Sequence, residues 1–92
     1  MKQVIQIHNS SFNLAVSKIL GVENPSFINE EDVLETIHNC IIKLKVSKFL
    51  KVNEVSFLAG NLGEKSFAYF TFYKVESAND EEFFKALTLF NF

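Results

Sequence analysis

The histidines and the single cysteine of this 92-residue sequence, His8, His38 and Cys40, are its first candidates for nucleophilic or metal chemistry. His8 and His38 lie far apart in sequence, and neither is accompanied by carboxylates or cysteines at metal-ligand spacing. Only Asn39 separates His38 from Cys40, so on a helix these two side chains point to different sides. The sequence also lacks a phosphate-binding glycine loop and a nucleophile elbow. We therefore predict a protein that is not an enzyme and that holds no metal or other cofactor.

The stretch KSFAYFTF, residues 65–72, carries the residues best suited to binding. It has the composition of a β-strand, whose side chains alternate between two faces. The face predicted to be buried consists of Ala68, Phe70 and Phe72. Phe67 and Tyr69 then face away, where aromatic rings stack on nucleic-acid bases or anchor a protein interface. A third alternative is a second core, in which the first helix or the C-terminal Phe90 and Phe92 cover these rings.

Two kinds of charged cluster are present. Lysines that could contact phosphates are Lys43, Lys45, Lys48, Lys51 and Lys65. Four of them, Lys43, Lys45, Lys48 and Lys51, lie near the C-terminus of a predicted helix, where cations also complement the helix dipole. Acidic residues at 30–32 and 80–82 could imitate phosphates, but they also suit the first turns of two helices. We interpret both kinds of cluster as helix-end residues.

The overall composition favours a protein partner over a nucleic acid. All nine cations are lysine, and the net charge is −2. Arginine, whose planar group grips phosphate and guanine in two places at once, is absent from the sequence. Eleven phenylalanines supply ample aromatic surface for an interface. We predict a small protein-binding module, and the composition rich in Lys, Asn and Phe suggests a viral or phage-type inhibitor of a host factor.

The single cysteine, Cys40, cannot form an internal disulfide, which favours a reducing, intracellular environment. The sequence contains no signal-peptide pattern and no apolar run of the roughly 18 residues that a membrane helix needs. We expect one domain over residues 1–92, in the cytoplasm and without a membrane partner.

The elements that position these side chains are predicted from apolar periodicity. Residues 3–8, QVIQIH, form a predicted strand with two faces: Ile5 and Ile7 on one, Val4, Gln6 and His8 on the other. A helix follows, capped by Ser10 or Ser11 and ended by Gly21. A second helix is capped by Asn29. The segment IIKLKVSKFLKV fits either a continuing helix or a strand, and we prefer a helix to about residue 50.

The second half of the sequence predicts two strands and a helix. VNEVSFLAG, residues 52–60, is a strand with Val55 and Phe57 towards the core, and GNLGEK is a turn. The third strand covers residues 65–75. A last helix, NDEEFFKALTLF, is capped by Asn79 or Ser77. The pattern predicts an α+β fold of order β-α-α-β-β-α, in which a three-stranded or four-stranded antiparallel sheet carries helices on one face.

KSFAYFTF resembles the octamer of the RNA-recognition motif, a family with a ferredoxin-like fold. The positions that agree are Lys65, Phe67, Ala68, Tyr69 and Phe72, whereas Ser66 replaces glycine and Phe70 an aliphatic residue. IQIHNS, residues 5–10, is similar to the hexamer of that family, with Gln6 at the aromatic position. The resemblance implies that Phe67 and Tyr69 stack on RNA bases, that Lys65 holds a phosphate, and that Gln6 and His8 bond base edges. A fourth strand is missing from the pattern.

A missing fourth strand predicts self-association. The edge of a three-stranded sheet has unpaired backbone groups that recruit another strand. We predict VNEVSFLAG as one such edge, with Leu58 on its outer side adding apolar surface near Phe67 and Tyr69. The C-terminal LTLFNF could also be exchanged between chains. We therefore expect a homodimer.

Overall fold

The computed structural model describes residues 1–27, 29–57 and 67–91 of the chain. Its elements are β1 (Lys2–His8), α1 (Asn9–Leu20), α2 (Glu30–Lys43), β2 (Leu50–Phe57), β3 (Phe67–Lys74), α3 (Asp80–Leu87) and a 3-10 turn (Thr88–Phe90). The predicted α+β class and the order β-α-α-β-β-α are confirmed. Predictions for the following positions lie outside the described residues: the Phe57 side chain, Leu58, the turn at 60–65, Lys65 and Phe92.

The sheet has three strands in the order β1-β3-β2, and both pairings are antiparallel. The strand of the KSFAYFTF stretch is therefore the central one. Phe70 pairs with Ile5 on one side and with Val55 on the other. The predicted alternation of β1 and β3 is confirmed, since Ile7, Ala68, Phe70 and Phe72 are all buried.

The helices pack on the face of the sheet that carries Phe70 and Phe72. Both rings are fully buried there. A row of tilted aromatic contacts, with centroids 5.0 to 6.4 Å apart, joins α1, β3 and the 3-10 turn: Phe27–Phe12, Phe12–Phe70, Phe70–Phe72 and Phe72–Phe90. The phenylalanine excess is thus largely used to fill the space between the sheet and the helices.

The prediction that the second helix continues to about residue 50 is wrong, because α2 ends at Lys43. Lys45 adopts a left-handed conformation with φ of 62°. The Lys45 N–H donates to the Ile42 carbonyl, and the Val46 N–H donates to the Ile41 carbonyl. This is the bond pattern of a Schellman motif, with lysine where glycine is usual. Burial of Val46 holds the turn in place.

Strand β2 differs from its predicted form in two ways. It begins at Leu50 rather than at residue 52, and its register shifts between Val52 and Glu54. The shift leaves Asn53 unpaired in a β-bulge. The bulge lets Leu50, Val52 and Val55 all face the core although their spacing breaks the alternation.

The cap of α1 is His8, not Ser10 or Ser11. β1 runs into α1 without a loop, and the His8 Nδ1 accepts from the Ser10 N–H at 3.2 Å and lies 2.7 Å from the Ser10 Oγ. Gly21 ends the helix with φ of 69°, as predicted. His8 is therefore both the last residue of β1 and the N-cap of α1, and this direct junction fixes the angle between the strand and the helix.

The caps predicted at Asn29 and Asn79 are confirmed. The Asn29 side chain accepts from the Asp32 N–H at 3.0 Å. Asn79 and Glu82 form a reciprocal capping box, with bonds of 2.8 and 3.0 Å. The acidic first turns of α2 and α3 thus lie at the positive ends of helix dipoles, where their charge is stabilising.

Candidate functional site

The face of the sheet opposite the helices is the candidate site, and we call it the open face. The strand register assigns it side chains from all three strands: Lys2, Val4, Gln6 and His8 of β1, Phe67, Tyr69, Thr71 and Tyr73 of β3, and Lys51, Glu54 and Ser56 of β2. Four of the predicted binding residues, Phe67, Tyr69, Gln6 and His8, lie together here. Lys65 and Leu58 are outside the described residues.

The aromatic residues of the open face are partly exposed, whereas Phe70 and Phe72 on the opposite face are fully buried. Phe67, Tyr69 and Tyr73 are half-buried, and Val4 is 57 % exposed. In the described part of the chain, neither α1 nor the C-terminal turn covers them, because Phe12 and Phe90 pack against Phe70 and Phe72 on the other face. Phe67 and Tyr69 are therefore surface residues, not a second core under these elements.

Phe67 and Tyr69 each face a polar residue of β1 across the ladder. His8 pairs with Phe67, and the two rings meet edge to face with centroids 5.0 Å apart. Gln6 pairs with Tyr69. Because His8 also caps α1 through its Nδ1, the ring that meets Phe67 is itself bonded to the start of the helix.

At the other end of the open face, Tyr73 is bonded to β2. Its hydroxyl donates to Glu54 Oε1 at 2.9 Å. The bond to the carboxylate favours the neutral phenol and raises the pKa of Tyr73 above 10.0. Sequence reasoning left Tyr73, Glu54 and Val4 out of the site. Alternation along β1 and β3 was the signal for Val4 and Tyr73, whereas Glu54 depends on the bulge in β2.

The charges on the open face are of both signs. Lys2 and Lys51 flank Tyr73 on the two neighbouring strands, and Glu54 bonds to that same tyrosine. The other predicted lysines lie elsewhere: Lys43 ends α2, Lys45 follows it, and the Lys48 ammonium lies 5.3 Å from the Phe49 ring centre. The described part of the face therefore does not present a continuous basic surface.

Two of the residues considered above for nucleophilic or metal chemistry, His38 and Cys40, contribute to the packing of the fold. The His38 Nε2–H donates to the Val52 carbonyl at 2.6 Å, which ties α2 to β2. Cys40 is buried in the core, and burial raises the pKa of its thiol to about 11. Among the described residues, no three His, Cys, Asp or Glu side chains are grouped to hold a metal ion. Nor does any described helix combine the length and apolarity needed to cross a bilayer.

The two outer strands of the sheet differ in how their edges are protected. β2 is the edge predicted from the sequence, and it is indeed an edge strand. Its bulge at Asn53 interrupts the ladder, and His38 already occupies the outward carbonyl of Val52. β1, the other edge, pairs in regular register from Lys2 to His8. Among the described residues, the edge that offers a regular row of unpaired backbone groups is therefore β1 rather than β2.

A cleft of about 250 Å³ lies on the helix side of the sheet, beside the start of α1. Its lining includes Phe12, Phe27 and Val33 together with the polar Asn9 and Asn13. None of the described lining residues is ionisable, so the cleft offers no group for acid–base chemistry.

Comparison of the chain with models of protein families, with curated proteins and with solved structures gives no match.

Proposed function

We propose that this protein is a non-enzymatic binding module that recognises a partner protein through the open face of its sheet. The observation that carries the proposal is a row of partly exposed aromatic side chains, Phe67, Tyr69 and Tyr73, on the central strand. Aromatic residues at the centre of a patch are the residue types that dominate protein-interface energetics. Residues at the centre of a sheet are also held rigidly, so little conformational entropy is lost on binding.

The surroundings of these rings suit a protein interface. Val4 extends the apolar surface over β1, while Gln6, His8 and Ser56 provide hydrogen-bonding groups beside it. This arrangement, with an apolar centre and a polar margin, is typical of protein-binding patches. Mixed charges and a net charge of −2 add nothing to the attraction of a polyanion.

The decisive experiment removes the two rings together. In the variant Phe67→Ala with Tyr69→Ala, we expect a folded protein that no longer binds its partner. Truncation of each ring at an interface centre costs about 2 kcal/mol or more of binding free energy, so the pair weakens binding by at least several hundredfold. Binding is measured by capture from cell lysate on the immobilised protein, followed by titration of the purified partner.

Phe84→Ala is the matched control. Phe84 is an aromatic residue of α3 that is 44 % exposed, and it lies away from the open face. Retained capture by this variant and lost capture by the double variant support the proposal. Loss of binding in both variants, or in neither, contradicts it. Unfolding of the double variant, detected by circular dichroism, shows that the rings are structural and also contradicts it.

The alternative function is RNA binding, and one observation favours it. Phe67 and Tyr69 lie side by side on the central strand, with Gln6 and His8 directly across the ladder. That is the arrangement in which the RNA-recognition motif stacks successive bases. Fluorescence anisotropy with labelled single-stranded RNA separates the two functions. RNA binding falls steeply as salt is raised, and capture of an RNA-bridged partner is lost after nuclease treatment.

A further inference from the structure

The outer edge of β1 has a row of backbone groups that the sheet does not use. The Lys74 N–H donates to the Met1 carbonyl at 3.1 Å, which fixes the phase of the β1–β3 ladder. In an antiparallel pair the bonded residues alternate, so the backbone groups of Lys2, Val4 and Gln6 point away from β3. Within the described residues, no strand or loop pairs with them.

We propose that this edge pairs with the same edge of a second copy of the chain. Two β1 strands related by a twofold axis would run antiparallel and join the two sheets into one. The proposal does not rest on the proposed function, because it concerns the strand edge and leaves the aromatic side chains of the central strand accessible.

The residues along β1 favour one register. With the twofold axis at Val4, each Val4 lies opposite Val4 of the second copy, and Lys2 lies opposite Gln6 of the second copy. Every outward backbone group is then bonded, and the two exposed Val4 side chains cover one another. The two Lys2 ammonium groups are separated by four strand positions, or about 13 Å, beyond the screening length at physiological salt.

The other edge explains why pairing stops at two copies. β2 is interrupted at Asn53, and His38 holds the Val52 carbonyl, so it offers no regular ladder. A sheet with one regular free edge closes on itself about a twofold axis and does not grow into a fibre. An unrelated strand would fit the backbone equally well, but only a second copy repeats each of these contacts twice.

The first test measures mass as a function of concentration. Sedimentation equilibrium of the wild-type chain should show a dimer of the 10.5 kDa chain at micromolar concentration. Val4→Lys places two ammonium groups opposite each other and should raise the dissociation constant at least tenfold. Thr71→Lys is the matched control, since Thr71 is the neighbour of Val4 on the open face but lies on the central strand. It should leave the dimer intact.

The second test fixes the register by disulfide cross-linking. In the proposed pairing, the Cα atoms of the two Val4 residues are about 5.5 Å apart, which is within the range of a disulfide. Val4→Cys should therefore give a covalent dimer on oxidation. Gln6→Cys, opposite Lys2 of the second copy, should not. The native Cys40 is buried and does not interfere.

Three results would overturn the proposal. One is a monomer at all concentrations. Another is equal weakening by Val4→Lys and Thr71→Lys, which would assign the contact to the open face and not to the strand edge. The last is cross-linking through Gln6→Cys that is as efficient as through Val4→Cys, or no cross-linking by either, because the register would then be wrong.

Discussion

Replacement of Lys45 by glycine should stabilise the protein, although no contact is added. Lys45 follows the end of α2 with φ of 62°, a conformation that costs a residue with a side chain about 1–2 kcal/mol. Glycine adopts it without that cost. Glycine also loses more conformational freedom on folding, which offsets about 0.5–1 kcal/mol of the gain. We therefore expect Lys45→Gly to raise the free energy of unfolding by about 0.5–1 kcal/mol.

The effect is measured by urea denaturation and by thermal unfolding. The urea midpoint should rise with an unchanged m-value, and Tm should rise by about 2–8 °C for a domain of this size. Lys43→Gly is the matched control, because it removes a lysine of equal charge from a helical position only two residues earlier. It should lower stability by about 1 kcal/mol.

Lys45→Ala separates conformation from charge. Alanine removes the same ammonium group but keeps the steric cost of the left-handed conformation, so it should not stabilise. If Lys45→Gly proves less stable than the wild type, or if Lys45→Ala gains as much stability, the left-handed turn is not what limits this segment, and the reasoning fails.

Two further predictions concern ionisation. The Cys40 thiol, with its pKa raised from 9.0 to about 11, should react with Ellman's reagent at pH 8 only as fast as the chain opens. Addition of urea should accelerate the reaction in step with unfolding. Rapid labelling of the native protein would contradict the burial of this thiol. Because the folded-state pKa is the higher one, this group's contribution to stability is present below pH 9 and is lost as the pH rises towards 11. In a Tyr69→Phe variant, the remaining Tyr73 should titrate above 10.0 in ultraviolet absorbance, and Glu54→Gln should bring that pKa down towards 10.0. The stability that Tyr73 gains from Glu54 is likewise present below pH 10 and is lost as the pH rises through the folded-state pKa. An unchanged titration of Tyr73 in Glu54→Gln would show that the carboxylate does not cause the raised pKa.

Much of the fold could be predicted because local and tertiary requirements agree. The starts of α2 and α3 follow from Asn29 and Asn79, each with acidic residues in the next turn. Caps act within a few residues, so the sequence contains all the information they need. The alternation of β3 likewise predicted that Phe67 and Tyr69 lie on one face and Phe70 on the other, because side chains of a strand alternate whatever it packs against.

The segment between α2 and β2 could not be predicted, because its residues satisfy two periodicities. The end of α2 has lysine where a helix usually ends with glycine, so no local signal marks it. Burial of Val46 and Leu50 decides where α2 ends and β2 begins, and this burial depends on the rest of the core. The bulge at Asn53 has the same origin, since it exists only in relation to the register of β3.

The sequence by itself determined the order of elements, the core face of the sheet and the aromatic character of the candidate site, since periodicity and caps are local properties. Only the tertiary structure decided which strand edge stays free and which side chains surround Phe67 and Tyr69. Strand order places β3 in the centre and β1 at the edge, and contacts such as that of His38 with the Val52 carbonyl join residues far apart in the chain. No local pattern encodes such pairings, because each depends on where both partners are carried by the folded chain.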